Sequence, residues 1–491
     1  MAKRVMVQGT MSGAGKSLIA AALCRIFRQD GLSAAPFKSQ NMALNSYITR
    51  EGLEMGRAQV VQAQAAGIEP DVRMNPILLK PSSDTGSQLI VNGEVRGEYR
   101  AADYFRMKKS LIPEVLAAYE SLAREHDVIV IEGAGSPAEI NLRQDDIVNM
   151  GLARLVDAPA ILVGDIDRGG VFAQLYGTVA LLEEEERRRL VGLVINKFRG
   201  DEGLLRPGLA MLEEKTGIPV LGVIPYAQVD IDDEDSLSPR LGRRAHRKAV
   251  DVAVVRLPHI SNFTDFAPLE RHPALGVRYV GRPDLLAGAD LIILPGTKAT
   301  MEDLKWLRQS GLESEIKKLA AAGIPVLGVC GGYQMLGKTL SDPDGVEGGG
   351  EMAGLGLLPC HTLFAPQKTR TRVEAEVSAP ALRGARLSCY EIHMGLTSRE
   401  GGEPFAHFPD GREEGTAAGN CFGTYLHGLF DTGELVEKLA AWLMTEKGLS
   451  PENIRVESQD SYRERQYDLL ARVVREHLDM KALYRAMEEY E

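Results

Sequence analysis

Short apolar runs alternate with longer stretches of helical spacing along the chain. Val5–Gln8, Val128–Glu132, Ala160–Val163, Gly192–Asn196 and Val220–Val223 are brief and rich in β-branched residues, the pattern of strands buried on both faces. Between them, Ser17–Arg28 and Ile112–Arg124 carry the apolar stripe of amphipathic helices. Such alternation predicts a parallel sheet with helices on both faces. A second series starts at Val252–Arg256 and continues through Leu291–Leu294, Val326–Val329 and Gly423–Leu426. Residues 433–491 are helical and charged, and read as completing this second domain. Between the two series, the acidic Asp230–Asp235, a Ser-Leu-Ser-Pro stretch and the basic Arg240–Lys248 lose all periodicity, as a solvated connection does. The expected architecture is α/β: two doubly wound, mainly parallel-sheet domains, 1–232 and 251–491, joined by a linker at 233–250.

Composition narrows the class. A chain of 491 residues is too long for one core, and 44% hydrophobic with 25% charged residues is ordinary for globular proteins. A formal net charge of −11 argues against a general nucleic-acid or anionic-membrane binder. Five scattered cysteines without a CxxC pair fit a reducing compartment better than a disulfide framework. No apolar run has the length of a signal peptide or a membrane span, so the expected location is the cytoplasm. A homo-oligomer is compatible with everything in the sequence.

Gly9-Thr10-Met11-Ser12-Gly13-Ala14-Gly15-Lys16-Ser17 follows the first strand and opens a helix. Small residues there let backbone N–H groups turn inward around phosphate oxygens at the positive end of the helix. Thr10, Gly13, Gly15, Lys16 and Ser17 are thus expected to bind ATP, with the Ser17 hydroxyl on Mg²⁺. Thr10 stands where the strict phosphate-loop pattern has its first glycine. Glu132, at a strand end, is a second candidate metal ligand, and Asn196, at another, a candidate for the adenine amide edge. Lys38 and Asn41, in Pro36–Met42, are expected near the γ-phosphate and the carboxylate to be activated, and Lys80 is a weaker candidate.

In the second half, Gly328-Val329-Cys330-Gly331-Gly332 is a strand running into a tight turn and then a helix, the cysteine form of a nucleophile elbow. Cys330 is the expected nucleophile, and the Gly331 backbone, aided by the Pro295-Gly296-Thr297 loop, the expected oxyanion site. His427, at the end of a later strand, is favoured as the base over His393, whose segment Tyr390–Gly395 reads as substrate-facing or structural.

Gln8–Ser17, Phe37–Asn45, Gly328–Gln334, Tyr390–Gly395 and Tyr425–Phe430 together resemble the cobalamin-pathway amidotransferases over essentially the whole chain. In that family a phosphate-loop domain of the dethiobiotin synthetase type precedes a class I glutamine amidotransferase domain. The resemblance accounts for Thr10 in the loop. It implies that MgATP activates carboxylates of adenosylcobyrinic acid a,c-diamide as acyl phosphates, and that glutamine supplies the ammonia. Two departures stand out. His427-Gly428-Leu429 lacks the Glu that orients the histidine in ordinary class I glutaminases, which leaves the orienting group unassigned. Arg57 falls where dethiobiotin synthetases carry an extra acidic metal ligand. The related synthase that makes the a,c-diamide, and a partitioning ATPase with an inactive glutaminase-like domain, are the competing readings.

Overall fold

Lys3–Gly9 (β1) lies inside a six-stranded sheet whose other members are Ala34–Phe37 (β2), Val128–Glu132 (β3), Ala160–Asp165 (β4), Leu190–Phe198 (β5) and Val220–Pro225 (β6). The strands run in the order β6-β5-β4-β1-β3-β2, and every pairing is parallel. Their centres are buried on both faces, which is why they read as unbroken apolar runs. Helix α1 (Lys16–Gln29) follows β1, and α2 (Arg57–Ala66) packs beside it. The structure, a computed structural model, describes residues 2–81, 86–231, 248–451 and 457–490. Residues 233–247 of the expected linker, 233–250, lie outside the described residues.

The second sheet is also six-stranded. Val250–Val255 (β7), Leu275–Val280 (β8), Leu291–Leu294 (β9), Val326–Val329 (β10) and, further along the chain, Cys421–Thr424 are parallel in the order β8-β7-β9-β10-Cys421–Thr424. Thr416–Ala418 closes it as an antiparallel edge. Helix α3 (Gly331–Leu336) follows β10. A further, largely antiparallel sheet carries the long strands Cys360–Val377 (β11) and Arg386–Arg399 (β12), with Leu426–His427 (β13) on the edge of β12. The second sequence series is thus parallel where expected, but an antiparallel layer that period-two patterning had not flagged is attached to it.

The chain divides into two compact units, and the division departs from the expected boundaries twice. Unit one comprises Met1–Ala43, Glu54–Asp232 and Tyr462–Glu491; unit two comprises Leu44–Leu53 and Asp233–Ser461. The C-terminal helices Gln459–His477 and Met480–Glu489 were expected to complete the second domain. Instead Tyr467, Leu470, Ala471, Val474, Leu483 and Met487 join the core formed by α1 and the first sheet. The packing is reinforced at its rim, where Arg25 meets Asp468 at 2.8 Å and Glu464 at 2.9 Å. An amphipathic helix announces that it has an apolar face, not which core will cover it. Leu44–Leu53 is the second exception: Asn262 N donates to Asn45 Oδ1 at 2.8 Å, and the Tyr47 ring packs at a tilt against Tyr390 with ring centres 5.8 Å apart.

Candidate active sites

In unit one the candidate residues gather at the carboxyl ends of β1, β3, β2 and β5, where open parallel sheets bind ligands. Gly15 has φ near 104°, a left-handed conformation, and a Cβ placed on it would meet Asn196 Nδ2 at 2.1 Å. Asn196 Nδ2 donates to Ala14 O at 2.9 Å, so the side chain expected at the adenine also braces the loop. Gly13 is left-handed as well, with φ near 76°. Thr10 Oγ1 donates to Gln174 Oε1 at 3.1 Å, which ties the loop to the helix after β4. Lys16 Nζ donates to Met11 O at 3.1 Å and to Gly135 O at 2.9 Å, spanning the hollow of the loop. Gly15→Ala is expected to weaken ADP binding by about 100-fold or more, because strain and collision both open the loop. Isothermal titration with ADP reads it; unchanged affinity would mean that the loop is not the phosphate cradle.

Glu132 is the hub of this site. Its Oε1 accepts from Ser17 Oγ at 2.8 Å and from Lys38 Nζ at 2.9 Å. Its Oε2 accepts from Gln62 Nε2 at 2.6 Å and Gln59 Nε2 at 3.3 Å. The carboxylate is only 1% exposed, and a charge buried so deeply persists because every oxygen is bonded. Asn41 extends the network, donating to Gln59 Oε1 at 3.2 Å. Paired Ser and Glu oxygens beside a phosphate loop are the hard donors that Mg²⁺ takes, usually with phosphate oxygens and water completing its shell. The residues present therefore fit that ion. Arg57 opens α2, and the residues of that helix that reach Glu132 are Gln59 and Gln62. Sequence reasoning missed both; amides at three-residue spacing in a helix made mostly of Ala and Val were the available signal. Lys80 pairs with buried Glu54 at 2.8 Å.

In unit two the candidate residues follow three adjacent parallel strands. Cys330 sits directly after β10 with φ near 52° and ψ near −109°, the strained turn that a nucleophile elbow needs. The flanking glycines allow it: a Cβ on Gly332 would meet Leu294 O at 2.0 Å, and one on Gly328 would meet Gly332 at 2.7 Å. Cys330 N donates to Thr424 O at 2.8 Å, which ties the elbow to the segment leading to His427. A Cβ on Gly331 would lie 3.2 Å from Thr297 N, and one on Gly296 would lie 3.3 Å from His427 Cε1.

His427 is 1% exposed, and its Nδ1 lies 2.6 Å from Asp265 Oδ2. The other carboxylate oxygen accepts from Gly428 N at 3.1 Å, so Asp265 fixes both the ring and the turn behind it. Tyr390 stacks on the ring with centres 5.4 Å apart. Burial disfavours the charged imidazole, but the Asp265 carboxylate and the Cys330 thiol outweigh it and push the His427 pKa up to about 10. Nε2 makes no hydrogen bond and is left for the sulfur side. Asp265 supplies the orienting carboxylate that the sequence left unassigned. It comes from Phe263–Phe266, 162 positions before His427, and its only local signal is an acid set between phenylalanines. A buried acid needs a partner. His393 takes another place: Nδ1 bonds to Gly395 O at 2.8 Å and the ring stacks on Tyr425. Among the described residues, no helix is long and apolar enough to cross a membrane.

Residues 5–237 match the family described as the CobQ/CobB/MinD/ParA nucleotide binding domain, and residues 251–435 match the CobB/CobQ-like glutamine amidotransferase domain. A cobyric acid synthase of Ruminiclostridium cellulolyticum is 56% identical, covering 100% of this chain and 98% of that protein. The cobyric acid synthase of Lachnoclostridium phytofermentans is 54% identical, with 100% of both chains covered. That of Klebsiella pneumoniae subsp. pneumoniae is 51% identical over 100% of this chain and 99% of the relative. The phosphate loop, the cysteine elbow and this end-to-end similarity place the chain in the cobyric acid synthase family.

Proposed function

We propose that the protein amidates the b, d, e and g side-chain carboxylates of adenosylcobyrinic acid a,c-diamide, using one ATP and one glutamine for each. A carboxylate is a poor electrophile, so the first reaction gives it a leaving group: a carboxylate oxygen attacks the γ-phosphorus of ATP, ADP departs, and an acyl phosphate remains. Lys16 and Lys38 spread positive charge over the transferring group, and the loop amides of Thr10–Ser17 hold the remaining phosphates. Ser17 and Glu132 would hold Mg²⁺, which when bound neutralises phosphate charge. Asn41 lies on the same network and orients the acceptor, while Asn196 meets the adenine.

The second reaction frees the nitrogen. The Cys330 sulfur attacks the side-chain amide carbon of glutamine, and the resulting oxyanion is held by backbone N–H groups at Gly331 and Gly296. His427, oriented by Asp265, passes its proton to the departing nitrogen, and ammonia leaves a thioester on the sulfur. Water, activated by the same histidine, cleaves the thioester to glutamate. Ammonia then attacks the acyl phosphate, and inorganic phosphate is expelled as the amide forms. The protein acts in the cytoplasm as a soluble enzyme on small-molecule substrates.

The observation that carries this reading is the coexistence of two complete constellations in one chain. One is Ser17, Lys38 and Glu132 within hydrogen-bond distance beside a phosphate loop. The other is a strained Cys330 with the His427–Asp265 pair. Mass spectrometry of the product from the a,c-diamide, ATP and glutamine tests it. Four successive replacements of hydroxyl by amine are expected. Turnover of cobyrinic acid that stops after two replacements would assign the protein to the synthase of the a,c-diamide instead.

A further inference from the structure

We propose that Lys197, with Asp165 as its counter-charge, aims the backbone amides of the phosphate loop, an inference that rests on reading that loop as the ATP site. In a regular strand neighbouring side chains point to opposite faces, so Asn196 and Lys197 of β5 would not reach one partner. Yet both hold the same loop at consecutive carbonyls. Asn196 Nδ2 donates to Ala14 O at 2.9 Å, and Lys197 Nζ donates to Gly13 O at 2.6 Å.

A break in the strand makes this possible. Lys197 has φ near 62°, a left-handed conformation, and the pairing of β5 with β6 shifts register between Ile195 and Phe198. Such an irregularity re-aims a side chain, and a residue with a Cβ is strained there unless its surroundings hold it. The hold lies at the far end of the side chain, where Nζ also donates to Asp165 Oδ2 at 2.7 Å. Asp165 ends β4 opposite Asn196, and its side chain is 1% exposed. Its other oxygen accepts from Asp167 N at 2.9 Å, so the carboxylate is itself fixed. A charge-assisted bond to a buried, immobile acid places the ammonium more firmly than a solvated lysine could be placed.

The effect on the loop follows from the planarity of the peptide bond. The C=O of one residue and the N–H of the next share a plane and point in opposite directions. Holding Gly13 O towards β5 therefore turns the Ala14 N–H away from β5, and holding Ala14 O does the same for the Gly15 N–H. The Ala14 N–H makes a long bond to Met11 O at 3.4 Å, which a phosphate oxygen can replace. Gly13 and Gly15, both left-handed, give this stretch a freedom that the two anchors then remove. Lys16 is expected on the phosphates themselves; Lys197 acts through the loop and is a positioning residue.

Titration of the full-length protein with ADP and with AMP tests this in the native form, in Lys197→Met and in Asp165→Asn. Lys197→Met keeps the stem and removes the charge that holds Gly13 O. Its affinity for ADP should fall about 10- to 100-fold, while that for AMP, which offers the loop amides one phosphate fewer, falls by about 3-fold or less. Asp165→Asn leaves the lysine in place without its counter-charge, and the same contrast is expected there at about 10-fold, so the result does not hang on one variant folding. Unchanged ADP affinity in both variants would overturn the positioning role alone. So would an equal loss with ADP and AMP, which would assign Lys197 to the fold. A native protein that binds no ADP would overturn the ATP reading of the loop, and the positioning role with it.

Discussion

Replacing Cys330 by Ala is expected to lower glutamine-supported synthesis by about 10⁴-fold or more, while synthesis supported by a high concentration of ammonium salt continues near the native rate. Removing the sulfur removes the covalent step itself, and no neighbouring group replaces it: the other described cysteines are buried and distant in sequence. In the proposed mechanism ammonium bypasses unit two, because the acyl phosphate would form at the Lys38–Glu132 site, whose residues belong to unit one. Both rates can be read by coupling ADP release to a dehydrogenase assay. Loss of both activities together would mean that Cys330 serves the fold. Retention of both would mean that the nitrogen is not cut loose at this thiol.

Asp265→Asn should be nearly as severe, with glutaminase kcat falling about 10³-fold or more. The amide keeps the size of the side chain, but it can present an N–H to Nδ1, favour the wrong tautomer and withdraw the charge that steadies the imidazolium. The pH dependence supplies a second reading. In the native protein the His427 pKa is raised from 6.5 to about 10. A raised pKa means that the folded state holds the proton more tightly than the unfolded one. The resulting stabilisation is fully present below about pH 6.5 and is lost as pH rises through about 10. Urea unfolding of the native protein should therefore weaken across that window. In Asp265→Asn burial is left less opposed, the pKa falls, and the alkaline slope should largely disappear. An unchanged slope would show that Asp265 does not control the charge of His427.

The two sites were legible to different degrees, for physical reasons that can be named. Gly9–Ser17 could be read directly because a phosphate cradle is local: one short stretch supplies the amides, the lysine and the hydroxyl, and glycine is needed where the backbone turns left-handed. The elbow around Cys330 is local in the same way, since its glycines answer to collisions with the next turn and with β9. Asp265 was not legible. Its partner His427 lies in β13, and only the packing of Phe263–Phe266 beneath it brings the carboxylate to Nδ1. Gln59 and Gln62 were missed because an amide on a helix is chemically mute until its neighbour is known to be a buried carboxylate.

The sequence by itself determined the parallel strands, the helices between them, the phosphate loop and the cysteine elbow. Each depends on periodicity or steric freedom within a few residues. Tertiary structure alone decided that the C-terminal helices cover α1 rather than the second sheet, and that Leu44–Leu53 belongs with Asn262 and Tyr390. It also decided which carboxylate orients His427 and how the buried charge of Glu132 is satisfied. An apolar face or a buried charge records that a partner is required. Which partner meets it is fixed only when distant segments compete for the same surface and the best-packed, best-paired arrangement wins.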